Sequence, residues 1–148
     1  MLKRTGAFLL AVIVAAVLGS VVQSLFNLAA LQGIGAQVPL MLWVETILHD
    51  LAGFGPLFAA MVSVSLICAL PVAALVARMT PSLRAPVFAA AGAAGLWAAF
   101  VLANHLAPMP TLIAATRTLP GLITMLACAA LGGFIYARCT VQKRVWIN

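Results

Sequence analysis

Long apolar runs, separated by short polar or proline-containing segments, divide the chain into four predicted membrane spans. The runs cover about residues 5–31, 56–78, 86–105 and 119–138. Each run is long enough, because about 20 helical residues cross the hydrocarbon core of a bilayer. The pattern therefore predicts an all-α membrane protein, with one integral membrane domain built as a bundle of four transmembrane helices.

The segment of about residues 39–52 has a different pattern, which predicts a short amphipathic helix. At about 100° per residue its apolar side chains, except Leu42, share one face. The opposite face holds Glu45, Thr46, His49 and Asp50. Gly53 and Gly55 favour a helix end, and Pro56 favours the start of the next helix. We therefore expect a separate interfacial helix between spans 1 and 2, with its apolar face in the membrane.

Composition agrees with a membrane protein and also predicts its orientation. The chain is 66% hydrophobic and 7% charged, whereas soluble domains carry about 25% charged residues. Seven of its eight Lys and Arg residues fall on one side if both termini are cytoplasmic, which leaves only Arg117 outside. The basic residues flank the spans and form no basic patch of the kind that binds nucleic acid. We expect a compact protein of a bacterial inner membrane.

Within the spans, small residues predict close helix packing and a proline predicts a bend. Ala91 with Gly95, and Gly132 with Gly133, let helix backbones approach closely. Pro71 interrupts the second span and should kink it. Asp, Glu, Lys, Arg and His are absent from the middle of every predicted span. Because coupled transport usually needs such a group within the membrane, the pattern disfavours it.

The predicted topology brings five polar residues to the outer surface. These are Glu45, His49, Asp50, His105 and Arg117. Glu45, His49 and His105 are candidates for a transition-metal site, since carboxylate and imidazole groups suit zinc, iron or copper. In the simpler interpretation the interface is wet, and Arg117 pairs with an acidic residue. No catalytic residue, metal or cofactor is predicted.

These observations favour a non-catalytic accessory or structural subunit of a larger membrane complex. Such a protein would contact membrane lipids and either a protein partner or a second copy of itself. One alternative is a lipid- or quinone-binding protein, with its ligand near Pro71 and the outer His/Glu cluster at the mouth of the site. A second alternative is a metal- or haem-binding redox protein. No motif specific to a known family is present.

Overall fold

Four long helices make up nearly all of the protein, and they confirm the predicted all-α class. The computed structural model describes residues 2–106 and 113–141. The helices are α1 (Leu2–Gly33), α2 (Leu40–Met79), α3 (Arg84–Leu106) and α4 (Leu119–Cys139). Short 3-10 turns at Pro81–Leu83 and Ala114–Arg117 precede α3 and α4. Each long helix has the length and apolar composition needed to cross a membrane.

The helices form an antiparallel bundle in which each helix packs against the next. Helix α4 returns to pack against α1, so the four helices form a closed ring. Among the described residues, the diagonal pair α2 and α4 barely touches, and α1 does not pack on α3. The order is that of an up-and-down four-helix bundle, in which sequence neighbours are also neighbours in space.

Helix α2 runs without interruption from Leu40 to Met79, through Gly53, Gly55 and Pro56. The predicted helix end at the two glycines and the predicted start at Pro56 are therefore wrong. Residues 40–52 are the first part of α2, not a separate helix.

Packing against α1 explains why α2 continues. Gly55 is buried beside Ser20 of α1. The Phe58 ring lies against Gly19 of α1, where an added Cβ atom would collide with it. A helix also satisfies its own backbone hydrogen bonds where water is absent. These tertiary contacts outweigh the local preference of glycine and proline for a break.

The first two helices are much longer than the last two. Helices α1 and α2 contain 32 and 40 residues, whereas α3 and α4 contain 23 and 21. A helix the length of α2 extends for about 60 Å, at about 1.5 Å per residue. Since a bilayer core is about 30 Å thick, about half of α2 would lie beyond it.

Glycines hold α3 close to α4. A side chain at Gly92 would collide with the carbonyl group of Ala129, and one at Gly133 would collide with that of Phe88. Both contacts are with backbone atoms, which cannot move aside as a side-chain tip can. These glycines therefore set the spacing between the two helices.

The other predicted packing positions also serve contacts inside the chain. A Cβ atom at Gly132 would lie 2.9 Å from the Ala11 carbonyl oxygen, and one at Gly95 would lie 3.0 Å from that of Ser65. Ala91 is half-buried against the core. The small residues thus join α4 to α1 and α3 to α2, so they do not themselves indicate a surface for another protein.

Aromatic rings fill the core in the half of the bundle that contains the α1–α2 connection. Phe58 and Phe100 are almost completely buried, and their ring centroids are 6.4 Å apart. Phe58 fits against Gly19, where a Cβ atom would collide with its ring. Val62, Leu96 and Met125 continue this packed core and are each no more than 1% exposed.

Candidate functional site: a basic cavity between the helices

The five polar residues predicted at the outer surface lie at one end of the bundle, but the described contacts do not assemble them into one site. Glu45 and His49 are exposed on α2, and His105 is exposed in the last turn of α3. Arg117 is exposed at the end of the 3-10 turn before α4. Within residues 2–106 and 113–141, no three His, Cys, Asp or Glu side chains are grouped as metal ligands would be.

Asp50, the fifth of these residues, binds helix α1. Its Oδ2 atom accepts a hydrogen bond of 2.7 Å from the Ser24 hydroxyl group. Ser24 is fully buried, and its hydroxyl oxygen also lies 3.1 Å from the carbonyl oxygen of Ser20. Asp50 is therefore a polar contact between α1 and α2.

A second polar contact attaches the turn before α4 to α1. The Gln23 Oε1 atom accepts a hydrogen bond of 2.9 Å from the backbone N–H of Ala115. Thr118 then caps α4, because its hydroxyl oxygen accepts a hydrogen bond from the Gly121 N–H group. Gln23 thus positions the start of α4, a role that its place inside an apolar run did not predict.

A cavity of about 750 Å³ lies at the opposite end of the bundle. Its volume falls in the range of about 300–1,000 Å³ that is usual for small-molecule sites. Residues from all four helices line it, and α2 supplies most of the apolar wall. That wall comprises Leu66, Ile67, Leu70, Pro71, Ala74 and Ala77.

Three arginines from three helices line the same cavity. They are Arg4 near the start of α1, Arg78 near the end of α2 and Arg84 at the start of α3. Arg4 and Arg78 are exposed, whereas Arg84 is half-buried. The cavity is therefore basic at the end of the bundle and apolar along α2.

Arg84 is held in place from two sides. One terminal nitrogen (Nη2) donates a hydrogen bond of 2.8 Å to the Thr140 hydroxyl oxygen. The guanidinium carbon lies 4.8 Å from the centroid of the Phe88 ring, within the range of a cation–π contact. Phe88 in turn stacks on Tyr136, with the ring centroids 5.7 Å apart. The Arg84 Nε atom is buried and has no acceptor among the described residues.

The positive charge of the cavity has no acidic side chain beside it. The chain contains only two acidic residues, Glu45 and Asp50. Both lie in the first part of α2, at the other end of the bundle, and Asp50 is bound there by Ser24. Guanidinium groups bind carboxylate and phosphate groups well, because their N–H groups form a planar fork. The arrangement can therefore bind an anion.

The apolar wall of the cavity extends to the surface of the bundle. Ile67 lines the cavity and is 59% exposed, and the neighbouring Pro71 is also exposed. Pro71 has no N–H group, so the Ile67 carbonyl loses its usual helical donor. An apolar chain could pass from the cavity to the lipid-facing side of α2 at this point.

The sequence pattern does not single out the three arginines as binding residues, because cations that flank spans are also the ordinary signal of membrane topology. One available signal was the short connection between Arg78 and Arg84, which brings these two cations to the same end. A second was the pair of small residues Ala74 and Ala77, one turn apart and close to Pro71. A cavity near Pro71 was expected in the ligand-binding alternative, but the structure opens it at the arginines and not at the His/Glu cluster.

Comparison of the chain with known family models, curated proteins and solved structures gives no match. The class that fold and site define is a four-helix bundle of membrane-spanning length, with a basic, partly apolar cavity at one end. The function proposed below depends on the geometry of that cavity.

Proposed function

We propose that this protein is an integral membrane protein that binds an amphipathic ligand, such as a lipid or a quinone, in the cavity beside Pro71. One observation carries the proposal: a cavity of about 750 Å³ is apolar along α2 and basic at the end of the bundle. Binding sites for small molecules commonly combine an apolar wall with a few polar groups that orient the ligand.

The polar groups of the cavity suit binding better than catalysis. They are the three arginines with Tyr136 and Thr140. Arginine side chains only donate hydrogen bonds, whereas the tyrosine and threonine hydroxyl groups can donate or accept them. This set supplies hydrogen-bond donors and positive charge, but it contains no carboxylate, imidazole or thiol, which are common proton acceptors in catalysis. A non-enzymatic binding protein is therefore the better proposal.

The distribution of charge supports an orientation with the cavity on the cytoplasmic side of a bacterial inner membrane. Lys3, Arg4, Arg78, Arg84 and Arg138 lie at the cavity end of the bundle. Arg117 lies at the other end. Basic residues favour the cytoplasmic side of membrane proteins. In this orientation the first part of α2 reaches the outer membrane surface, where its apolar face can contact lipid.

The proposal predicts that the protein retains its ligand during gentle purification. Extracts of protein purified in mild detergent would be analysed by mass spectrometry for lipids and quinones. Ala74 is half-buried and lines the cavity, so Ala74→Trp should fill it and reduce the retained ligand about tenfold, which corresponds to about 1.4 kcal/mol.

Ala98→Trp is the matched control, because Ala98 is exposed on α3 and does not line the cavity. It should retain the wild-type amount of ligand. Equal retention by the Ala74→Trp protein would contradict the proposed site. A wild-type protein without any bound amphiphile would contradict the function itself.

A second candidate function is that of a non-catalytic accessory or structural subunit of a larger membrane complex. The observation that favours it is the apolar surface on the first part of α2. Leu40, Met41 and Leu48 there are 81%, 67% and 62% exposed. A stoichiometric protein partner in the same purification would favour this function, and loss of that partner on Leu48→Glu would locate the contact.

A further inference from the structure

We infer that the ligand carries a phosphate group, and that Arg4, Arg78 and Arg84 bind this group at the basic end of the cavity. The inference rests on the proposed function and adds the chemical class of the ligand. It also names a lipid as the source of the phosphate.

The number and origin of the cations favour phosphate over carboxylate. The three arginines that line the cavity come from three different helices, α1, α2 and α3. A carboxylate has two oxygens in one plane and suits a single arginine fork. A phosphate group presents several oxygens in a tetrahedral arrangement, so more than one arginine can donate to it at once.

Arg84 is prepared for this role by its neighbours. Its contacts with Thr140 and Phe88 restrict the guanidinium group before any ligand arrives. A side chain that is already ordered loses less conformational entropy on binding. Both neighbours are uncharged, so they leave the positive charge of Arg84 uncompensated. Its Nε–H group has no acceptor among the described residues, and buried donors of this kind usually have one.

The apolar wall identifies a lipid as the source of the phosphate. Free phosphate would occupy only the basic end and leave the wall along Leu70 and Ala74 uncovered. An acyl chain can instead lie along this wall and leave the cavity beside Ile67, which is 59% exposed. Basic pockets between transmembrane helices on the cytoplasmic side are typical sites for anionic lipid head groups.

Three probes distinguish the contribution of the phosphate group to binding from that of the acyl chains. Full-length protein in a neutral detergent would be titrated with dioctanoyl phosphatidic acid, with dioctanoylglycerol and with inorganic phosphate. We expect phosphatidic acid to bind at least about tenfold more tightly than either other probe. Its affinity should also fall as salt is added, because ions screen the charge of the arginines.

Each other outcome has a distinct meaning. If dioctanoylglycerol binds as tightly as phosphatidic acid, the phosphate inference is overturned while the proposed function stands. If inorganic phosphate binds as tightly as phosphatidic acid, the lipid source is overturned. If none of the probes binds and no amphiphile copurifies, the inference and the proposed function both fail.

Substitutions at the exposed arginines then locate the binding. Arg4→Gln and Arg78→Gln should each weaken phosphatidic acid binding about tenfold and leave dioctanoylglycerol binding unchanged. Both side chains are exposed, so the fold should tolerate either change. Arg138→Gln is the matched control, because Arg138 lies at the same end, packs over Phe134 and does not line the cavity. An equal loss in the Arg138→Gln protein would overturn the assignment to the cavity.

Discussion

At the scale of single residues, the two acidic side chains of the protein have different roles. Glu45 is exposed on α2, whereas the half-buried Asp50 accepts a hydrogen bond from the buried Ser24 hydroxyl group. The spacing of these residues predicted a shared polar face, and both lie in the first part of α2, at the end of the bundle that contains the α1–α2 connection. The partner of Asp50 depends on how α1 packs on α2, which local periodicity cannot show.

This contact predicts that Ser24→Ala destabilises the protein. The change removes a charge-assisted donor from Asp50, and such hydrogen bonds between membrane helices contribute about 1 kcal/mol. Thermal unfolding in detergent should show a lower midpoint for Ser24→Ala. Glu45→Gln changes an exposed acidic residue on the same helix and should leave the midpoint unchanged. Equal midpoints for Ser24→Ala and the wild type would show that the contact contributes nothing.

At the scale of the helix, replacement of glycine by alanine is expected to change stability in opposite directions at two positions with different surroundings. Gly133 faces the backbone of Phe88, and an added Cβ atom would collide with its carbonyl group. Gly53 lies inside the continuous α2, and a Cβ atom there would meet nothing within 4 Å. Helical glycine is less favourable than alanine where the alanine side chain fits.

We therefore predict that Gly133→Ala and Gly53→Ala shift stability in opposite directions. Gly133→Ala should lower the free energy of unfolding by about 1–3 kcal/mol, because α3 and α4 must move apart. Gly53→Ala should raise it by up to about 1 kcal/mol. Chemical denaturation in mixed micelles would measure both changes. A loss of stability in the Gly53→Ala protein would argue that α2 is interrupted there.

The helices could be predicted more fully than the site, for a physical reason. Span length depends on runs of apolar residues, so the predicted bounds of spans 1, 3 and 4 agree with α1, α3 and α4 to within a few residues. The continuity of α2 past Gly53 depends on packing against α1. The cavity forms where Arg4 and Thr140, near the two ends of the chain, lie beside residues of α2 and α3. Local sequence patterns do not predict contacts between residues so far apart in the chain.

At the scale of the whole molecule, the two ends of the bundle differ in charge. The cavity end carries Arg4, Arg78, Arg84 and Arg138, and the other end carries Arg117, both acidic residues and the longer α1–α2 hairpin. If the cavity faces the cytoplasm, the connection between α1 and α2 faces the opposite compartment. The native Cys139, exposed at the end of α4, provides a marker for the cavity end.

Labelling with a membrane-impermeant maleimide tests this orientation in intact cells. A Cys68→Ser, Cys128→Ser protein should react at Cys139 only after the membrane is permeabilised. The same protein with Ile34→Cys and Cys139→Ser should react without permeabilisation, since Ile34 is 81% exposed in the α1–α2 connection. The reverse pattern would place the cavity on the outer side.

The aromatic layer around Phe58 and Phe100 fills the interior of the bundle in the half opposite the cavity. Between this layer and the cavity, the side chains of Val62, Leu96 and Met125 occupy the interior. In the part of the chain that the structure describes, the cavity therefore has no continuation to the other end. If the cavity binds a ligand as proposed, that ligand could be stored or passed to a neighbouring molecule in the same leaflet, whereas its transport across the membrane would require the helices to separate.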